Sequence, residues 1–208
     1  MFLSRVMLDW AVARNPYEIH RALWELFPGE PREPRRVQEE SRNGFLYRVE
    51  SAPTGRAAVI LAQSRRRPEE GAARVRLHGV KEFDPQPVAG QKLAFLLTAN
   101  PVKTITDDEN ASPDDSTPRK CRVPLLREEE QTAWLARKLE GAAQVSAVMT
   151  RRLEPLYFRK GKVGKIVPVQ FEGLLEVENS EKLLHCLQNG IGPAKGFGCG
   201  LLLVRRAG

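Results

Sequence analysis

Histidine is the side chain whose ordinary pKa, about 6.5, allows proton exchange near neutral pH, and the sequence contains three: His20, His78 and His185. His20 lies beside the apolar stripe of a predicted helix, and Tyr17 lies three residues earlier on the same helical face. This spacing permits a pair in which the histidine transfers a proton and the tyrosine orients the imidazole or a phosphate. The alternative is a half-buried histidine at the edge of helix packing, and the residues alone leave both open. His78 and His185 are predicted to be packing residues.

Metal and nucleotide-cofactor motifs are absent from the sequence. No histidine or cysteine has the spacing of a zinc site, and neither a GxGxxG nor a Walker sequence occurs. The polar segment 106–119 contains five carboxylates that are conceivable metal ligands: Asp107, Asp108, Glu109, Asp114 and Asp115. A two-metal nuclease site needs carboxylates on rigid elements, whereas this segment is predicted to form a long, mobile loop. We therefore predict chemistry that uses no metal ion and no organic cofactor.

The overall charge is basic. Among 208 residues, 33 Lys and Arg stand against 26 Asp and Glu, which gives a net charge of +7, and the isoelectric point is near 9.6. Such a balance is typical of proteins that bind a polyanion such as nucleic acid. Excess basic charge on an ordinary soluble protein is the alternative, and bulk charge does not choose between the two.

Two clusters of basic residues are candidates for contact with a phosphate backbone. The first is the window 151–165 and the second flanks the acidic segment. They comprise Arg151, Arg152, Arg159, Lys160, Lys162 and Lys165, and Lys103, Arg119, Lys120 and Arg122. A β-hairpin tipped with the first cluster can grip a nucleic-acid backbone, although a solvated charged hairpin has the same sequence pattern. Tyr157 and Phe158, beside this cluster, can stack on bases or pack in a core.

A glycine-rich segment, GIGPAKGFGCGLL (residues 190–202), joins a predicted helix to a predicted strand. Its five glycines permit positive φ and close backbone approach, and free amides in such a loop can hold a phosphate. Lys195 adds a cation in the middle. The candidate phosphate-binding residues of this segment are Gly192, Lys195, Gly196 and Gly198. A structural turn between helix and strand is the alternative.

The elements that must position these residues form two similar series. Helices are predicted at 16–27, 128–141 and 180–190, and strands at 2–8, 44–51, 57–64, 73–80, 92–99, 145–158, 164–177 and 199–205. Each half follows the pattern β-α-β-β-(α)-β, with the second helix of the first half short or missing. The pattern predicts an α+β fold of two tandem ferredoxin-like (RRM-like) domains with antiparallel sheets. Residues 1–88 then carry the helix with His20, and residues 89–208 carry the basic hairpin and the glycine-rich segment.

The chain is expected to be soluble and cytoplasmic. No apolar run is long enough to cross a membrane, and Arg5 and Asp9 interrupt the apolar start that a signal peptide requires. The three cysteines, Cys121, Cys186 and Cys199, have no CxxC spacing and suit a reducing compartment.

Six segments, in the same order along the chain, resemble one family. They are FLSRVMLDW, YEIHRALWELFPG, ANPVKTI, KCRVPLLREEEQTAWLARKL, FEGLLEV and GIGPAKGFGCGLL. The chain is similar over nearly its whole length to the CasE (Cse3) endoribonucleases of type I-E CRISPR systems. The resemblance implies two ferredoxin-like domains and metal-independent, sequence-specific cleavage of CRISPR repeat RNA at the base of its hairpin. It also implies that the protein keeps the mature guide RNA and joins the other subunits of the type I-E interference complex.

The resemblance also implies site residues. The family's catalytic histidine and tyrosine correspond to His20 and Tyr17, the glycine-rich segment matches the family signature, and the basic hairpin corresponds only loosely. RNA supplies its own nucleophile, the 2′-OH beside the scissile phosphate, so a base, an acid and a cation suffice, and the expected products are a 2′,3′-cyclic phosphate and a 5′-OH. We assign proton transfer to His20 and positioning to Tyr17, with Lys160 as the candidate for charge stabilisation. The two basic clusters and the four candidates of the glycine-rich segment are then expected to bind RNA.

A second function class stays open. A non-catalytic protein that binds RNA hairpins during ribonucleoprotein assembly would use the same basic surfaces and leave His20 as a packing residue. A small ferredoxin-like metabolic enzyme is disfavoured by the charge and by the missing cofactor motifs.

Overall fold

The computed structural model describes most of the chain, namely residues 1–29, 44–70, 74–107, 119–160 and 162–207. Residues 30–43 and nearly all of the acidic segment 106–119, which is predicted to be a loop, lie outside these ranges. Side chains are described in the same ranges except at residues 107, 119, 120, 159, 160, 162 and 163. Among the described helices, none is long and apolar enough to cross a membrane.

The first domain is an antiparallel sheet with helices on one face. Its elements are β1 (Phe2–Leu8), α1 (Trp10–Ala13), α2 (Pro16–Leu23), a 3-10 turn (Trp24–Leu26), β2 (Phe45–Ser51), β3 (Ala58–Ser64) and β4 (Val75–Glu82). The strand order β2-β3-β1-β4 is that of a ferredoxin-like fold. Between β3 and β4 the described residues form no helix, in agreement with the short or missing helix that the sequence predicts.

The second domain repeats this topology and adds two hairpins. Its elements are β5 (Lys92–Ala99), β6 (Val102–Asp107), β7 (Arg119–Pro124), α3 (Glu128–Leu139), β8 (Ala143–Arg152), β9 (Leu156–Lys160), β10 (Lys162–Ile166), β11 (Val169–Val177), α4 (Ser180–Asn189) and β12 (Leu202–Arg206). The four-stranded sheet has the order β12-β5-β11-β8, while in the described structure β6 pairs only with β7 and β9 only with β10. The α+β prediction with antiparallel sheets is confirmed. The predicted boundary at residue 88 lies between β4 and β5.

Strands β6 and β7 were not among the predicted elements, and two long predicted strands are each divided in the structure. The predicted strand 145–158 is divided into β8 and β9, and the predicted strand 164–177 into β10 and β11. Pro155 and Pro168 lie at the two divisions, where a proline cannot donate to a sheet ladder. The division separates hairpin β9–β10 from the main sheet. The predicted helix 16–27 also ends early, because α2 tightens into the 3-10 turn at Trp24.

Each domain has its own apolar core. In the first, Ile19 and Leu23 of α2 pack on the sheet, and in the second Trp134 of α3 and Leu187 of α4 pack in the same way. Polar contacts join the two domains near the end of α4. Gln63 of β3 donates from Nε2 to the Leu187 carbonyl over 2.6 Å, and this bond is buried. Because the end of α4 is held against the first sheet, the chain that follows it begins beside the first domain.

Candidate functional site

Helix α2 begins at a well-defined cap that sets the direction of its first turn. The Asn15 side chain accepts a hydrogen bond from the Tyr17 amide over 3.0 Å, and Pro16 occupies the first helical position. Ile19 and Leu23 are buried against the sheet, whereas Tyr17 and His20 are only partly buried. The amphipathic pattern of α2 therefore places both candidate catalytic side chains at the border between core and solvent.

The imidazole of His20 packs against three aromatic rings of its own domain and against a glycine of the other domain. Its ring centroid is 5.2 Å from that of Phe45, 6.1 Å from that of Trp24 and 6.3 Å from that of Tyr47. Gly196 lies close to the same ring: a Cβ there would lie 3.8 Å from His20 Cγ and Cδ2. The glycine thus brings backbone, rather than a side chain, next to the imidazole.

The glycine-rich loop (residues 190–200) has left-handed backbone at several positions. Gly190 ends α4 with φ of 72°, and Ala194 has φ of 66°, an unusual value for a residue with a Cβ. Backbone bonds close the loop: the Ile191 amide donates to the Gly200 carbonyl over 2.9 Å, and the Gly200 amide donates to the Thr98 carbonyl over 2.7 Å. These bonds tie the loop to β5 of the second sheet.

Two of the predicted phosphate-binding residues in this loop contact protein. A Cβ at Gly192 would lie 2.8 Å from the Trp134 ring, so the absence of a side chain permits close packing on α3. The Lys195 ammonium donates to the Asn189 carbonyl over 2.6 Å at the end of α4. Burial lowers the pKa of Lys195, and the partial negative charge of the helix C-terminus favours a cation there. Contact of Gly192 and Lys195 with RNA stays a prediction.

Tyr47 is a residue of the site that was not among the sequence-predicted candidates. Its hydroxyl donates to the Gly196 carbonyl over 2.8 Å, and its ring is 1% exposed. Burial, followed by the neighbouring Cys199 thiol, raises the pKa of Tyr47 well above its usual range, so the hydroxyl keeps its proton and acts as a donor. A signal existed in the sequence, because Phe45 and Tyr47 share one face of β2 and a buried tyrosine needs a polar partner.

A second aromatic contact links α2 to the basic hairpin. The Phe197 ring lies 6.2 Å from the Tyr17 ring in an edge arrangement, and 4.6 Å from the Phe158 ring of β9. The backbone of β9 also approaches α2 itself. Helix α2, the glycine-rich loop and hairpin β9–β10 therefore meet at one place, although 39 residues separate the two phenylalanines in sequence.

The described basic side chains of the two clusters lie on β8 and β10 and on β6 and β7. Arg151 donates from Nη2 to Gln170 Oε1 over 3.2 Å, and Arg152 donates to the Leu126 carbonyl. Lys165 lies 5.6 Å from the ring centroid of Tyr157, which is 61% exposed. Lys103 forms a 3.5 Å ion pair with Glu130, and Arg122 is exposed. The side chains of five further candidates lie outside the described set, and the structure describes only their backbone positions on β7, β9 and β10: Arg119, Lys120, Arg159, Lys160 and Lys162.

The arrangement can perform acid–base chemistry on a polyanion. His20 is a titratable group at the border with solvent, Tyr17 lies one helical turn away, and the polypeptide around them is fixed by hydrogen bonds. Within the described ranges, no group of three or more His, Cys, Asp or Glu side chains is placed to hold a metal ion.

Comparison with known proteins gives consistent results over the full length. The model of a family described as CRISPR associated protein matches residues 1–206. The CRISPR system Cascade subunit CasE of Escherichia coli K12 is 40% identical over 203 residues, which cover 97% of this chain and 98% of CasE. The CRISPR-associated endoribonuclease Cse3 of Thermus thermophilus is 34% identical, with 98% of this chain and 99% of Cse3 covered.

Solved structures agree with the fold described above. The crystal structure of Cas6e from Escherichia coli K-12 is similar with a TM-score of 0.84 and 39% identity, and all of both chains is covered. A structure of the CRISPR endoribonuclease Cse3 bound to a 19-nucleotide RNA is similar with a TM-score of 0.73 and 32% identity, over 99% of this chain and 100% of that one.

Proposed function

Because this chain belongs to the family of CRISPR-associated proteins, we propose that it is an endoribonuclease that cleaves CRISPR repeat RNA at the base of the repeat hairpin. Two relatives support the proposal. Cse3, an endoribonuclease by name, has been solved bound to RNA, and CasE is a subunit of Cascade. We extend both properties to this chain, which then binds the RNA hairpin, keeps the mature guide RNA and joins other subunits in an interference complex.

The observation that carries the proposal is the position of His20. The imidazole lies at the border with solvent, next to Gly196 of the glycine-rich loop and one turn from Tyr17. The geometry suits a proton-transfer group that is held in one orientation beside a bound phosphate.

The proposed reaction uses the nucleophile that RNA itself carries. A base removes the proton of the 2′-OH, the oxygen attacks the adjacent phosphorus, and the departing 5′-oxygen receives a proton. The products are a 2′,3′-cyclic phosphate and a 5′-OH. His20 performs one of the two proton transfers, which is typically worth about 10²–10⁴-fold in rate.

The other residues act through position and charge. Tyr17 orients the imidazole or the phosphate, and Lys160, on β9, is our candidate for the cation that stabilises the charge developing on the phosphate. No metal ion takes part in this scheme, because the RNA hydroxyl replaces metal-activated water as the nucleophile. The cations of the two basic clusters bind the phosphates of the hairpin stem and hold its base at His20.

A cleavage assay with matched substrates tests the proposal. Synthetic repeat RNAs are incubated with the protein, and the repeat that is cut is then made with a single 2′-deoxynucleotide at the scissile position. We expect cleavage of the all-RNA repeat, a 2′,3′-cyclic phosphate at the new end, and no cleavage of the deoxy-substituted repeat. A protein that binds repeat RNA without cutting any of it would instead be the non-catalytic assembly protein. Cleavage of the deoxy-substituted repeat would contradict the proposed mechanism.

A further inference from the structure

Three aromatic rings from three separate elements form a continuous row beside the candidate active site. Phe158 of β9 contacts Phe197 of the glycine-rich loop with 4.6 Å between ring centroids. Phe197 in turn contacts Tyr17 of α2 with 6.2 Å between centroids and an interplanar angle of 61°. All three rings are partly buried, so the row lies at the surface between hairpin β9–β10 and α2.

A glycine on the neighbouring strand determines where the Phe158 ring lies. Gly164 of β10 is the cross-strand partner of Phe158. A Cβ at Gly164 would lie 2.2 Å from Phe158 Cζ and 2.4 Å from Cε2, so the ring lies flat across the glycine. Aromatic side chains that cover a cross-strand glycine are a known way of pinning strand register. Any side chain at position 164 would therefore displace the ring.

Hairpin β9–β10 needs such an anchor because it belongs to neither main sheet. Its two strands pair only with each other in the described structure, and an isolated two-stranded hairpin is marginally stable in water. Ile166 is buried at the base of the hairpin, and Phe158 contacts the loop nearer to the tip. The tip is also where the basic residues of β9 and β10 are concentrated.

We propose that Phe158 is a positioning residue of the RNA-cleavage reaction: it anchors the basic hairpin on Phe197 and thereby fixes the hairpin relative to Tyr17. This inference rests on the proposed function. Phe158 acts through Phe197 and Tyr17 rather than on the RNA itself. Through this row, the position of the phosphate-binding hairpin determines the position of the residues that act at the scissile phosphate. Misplacement by about 1 Å can cost an enzyme as much as about a hundredfold in rate.

The test compares cleavage of bound RNA with RNA affinity in the full-length protein. The substrate is the repeat RNA that the wild-type protein cuts, and its 2′-deoxy form serves for affinity. We expect Phe158→Ala to lower the single-turnover rate at saturating protein by about tenfold to a hundredfold, with affinity changed by a much smaller factor. Phe158→Tyr keeps the aromatic ring and should cleave at close to the wild-type rate. If the wild-type protein cuts no repeat, the proposed function fails before this inference is tested.

A double-mutant cycle and two glycine substitutions make the test specific. If Phe158 and Phe197 act as one unit, the double Ala variant cleaves no more slowly than the slower single variant, whereas independent effects multiply. Gly164→Ala keeps every aromatic ring and should reproduce the loss. Gly79→Ala is the matched strand-glycine control, because a Cβ there meets no atom within 4 Å, and it should cleave like wild type.

Three results would overturn the inference. One is a Phe158→Ala variant that cuts bound RNA at the wild-type rate. Another is a pair of single effects that multiply in the double variant. The third is a loss confined to affinity, which would place Phe158 in contact with RNA instead of in the support of Tyr17. Circular dichroism of Gly164→Ala and Phe158→Tyr shows that the fold is retained in the variants on which the conclusion depends.

Discussion

The Tyr47 hydroxyl donates a 2.8 Å hydrogen bond to the Gly196 carbonyl, although 149 residues separate the two in sequence. Tyr47 belongs to the sheet under α2, and Gly196 belongs to the loop that contacts the His20 ring. The bond therefore fixes the loop of the second domain to the same sheet that supports the candidate catalytic helix. The Tyr47 bond therefore helps to hold the Gly196 backbone beside the His20 ring.

Tyr47→Phe should remove the hydrogen bond between β2 and the glycine-rich loop without opening a cavity. The variant leaves the Gly196 carbonyl without its donor, and we expect the free energy of unfolding to fall by about 0.5–1.5 kcal/mol, together with a lower rate of RNA cleavage. Urea denaturation and single-turnover cleavage measure the two effects. Tyr157→Phe is the matched control for stability, since that side chain is 61% exposed. Equal stability of Tyr47→Phe and wild type would show that the bond contributes nothing measurable.

His20→Ala should remove cleavage while repeat-RNA affinity stays nearly unchanged. The expected loss is about 10²–10⁴-fold or more, because the variant lacks the proposed proton-transfer group. Gel-based cleavage and a binding titration check the two properties separately. His185→Ala provides the control: the same residue type on α4, where the structure shows it exposed rather than packed as predicted. Wild-type cleavage by the His20 variant would reject the assignment.

Chelation should leave the reaction intact. In the proposed scheme the RNA 2′-OH is the nucleophile, so excess EDTA is expected to change the cleavage rate by less than about twofold, well below the effect of losing a catalytic group. The measurement is a time course with and without chelator at constant ionic strength. Recovery of activity only on addition of Mg²⁺ would exclude the metal-independent reaction.

Neutralising Arg159 and Lys160 together should weaken RNA binding and flatten its salt dependence. Each lost phosphate contact is expected to reduce the slope of log affinity against log salt by roughly 0.7–0.9. A double variant of Arg56 and Lys81, which are exposed on the first domain, removes the same net charge and controls for the general field of the protein. An identical slope in both double variants would mean that the hairpin cations do not touch phosphate.

The three cysteines should differ in their reaction with a thiol reagent. Cys121 is exposed, whereas burial raises the pKa of Cys199 to about 12. Since the thiolate is the reactive form, native protein at pH 8 should label rapidly at Cys121 and not at Cys199. Mass spectrometry after timed labelling identifies the sites, and unfolded protein should label at all three. Rapid native labelling of Cys199 would contradict its burial against Tyr47.

Much of the fold could be predicted from local pattern. The alternation of β1, the Asn15–Pro16 start of α2 and the apolar stripe of α4 each follow from residues close together in sequence. The separation of hairpin β9–β10 from the long strands was not predicted, because the apolar pattern continues through Pro155 and Pro168. The position of these two prolines next to the basic cluster is the signal that indicates the division.

The site was predictable only in part. Spacing and resemblance predict the pair His20 and Tyr17, and the structure places both on one side of α2. The contacts of Tyr47, Phe158 and Phe197 were not predictable, because each contact joins residues of different elements. Sequence periodicity describes which face of an element is buried but not which distant element covers it.

The loop beside His20 is formed by residues 190–200, and this has a consequence for synthesis. The first domain leaves the ribosome early and is expected to fold before the second, since domains generally fold as units in order of emergence. The imidazole nevertheless acquires its glycine neighbour only when β12 is also free to pair with β5. We therefore expect a nascent or truncated polypeptide that lacks these residues not to cleave RNA, so that the proposed nuclease competence begins only once they have been synthesised.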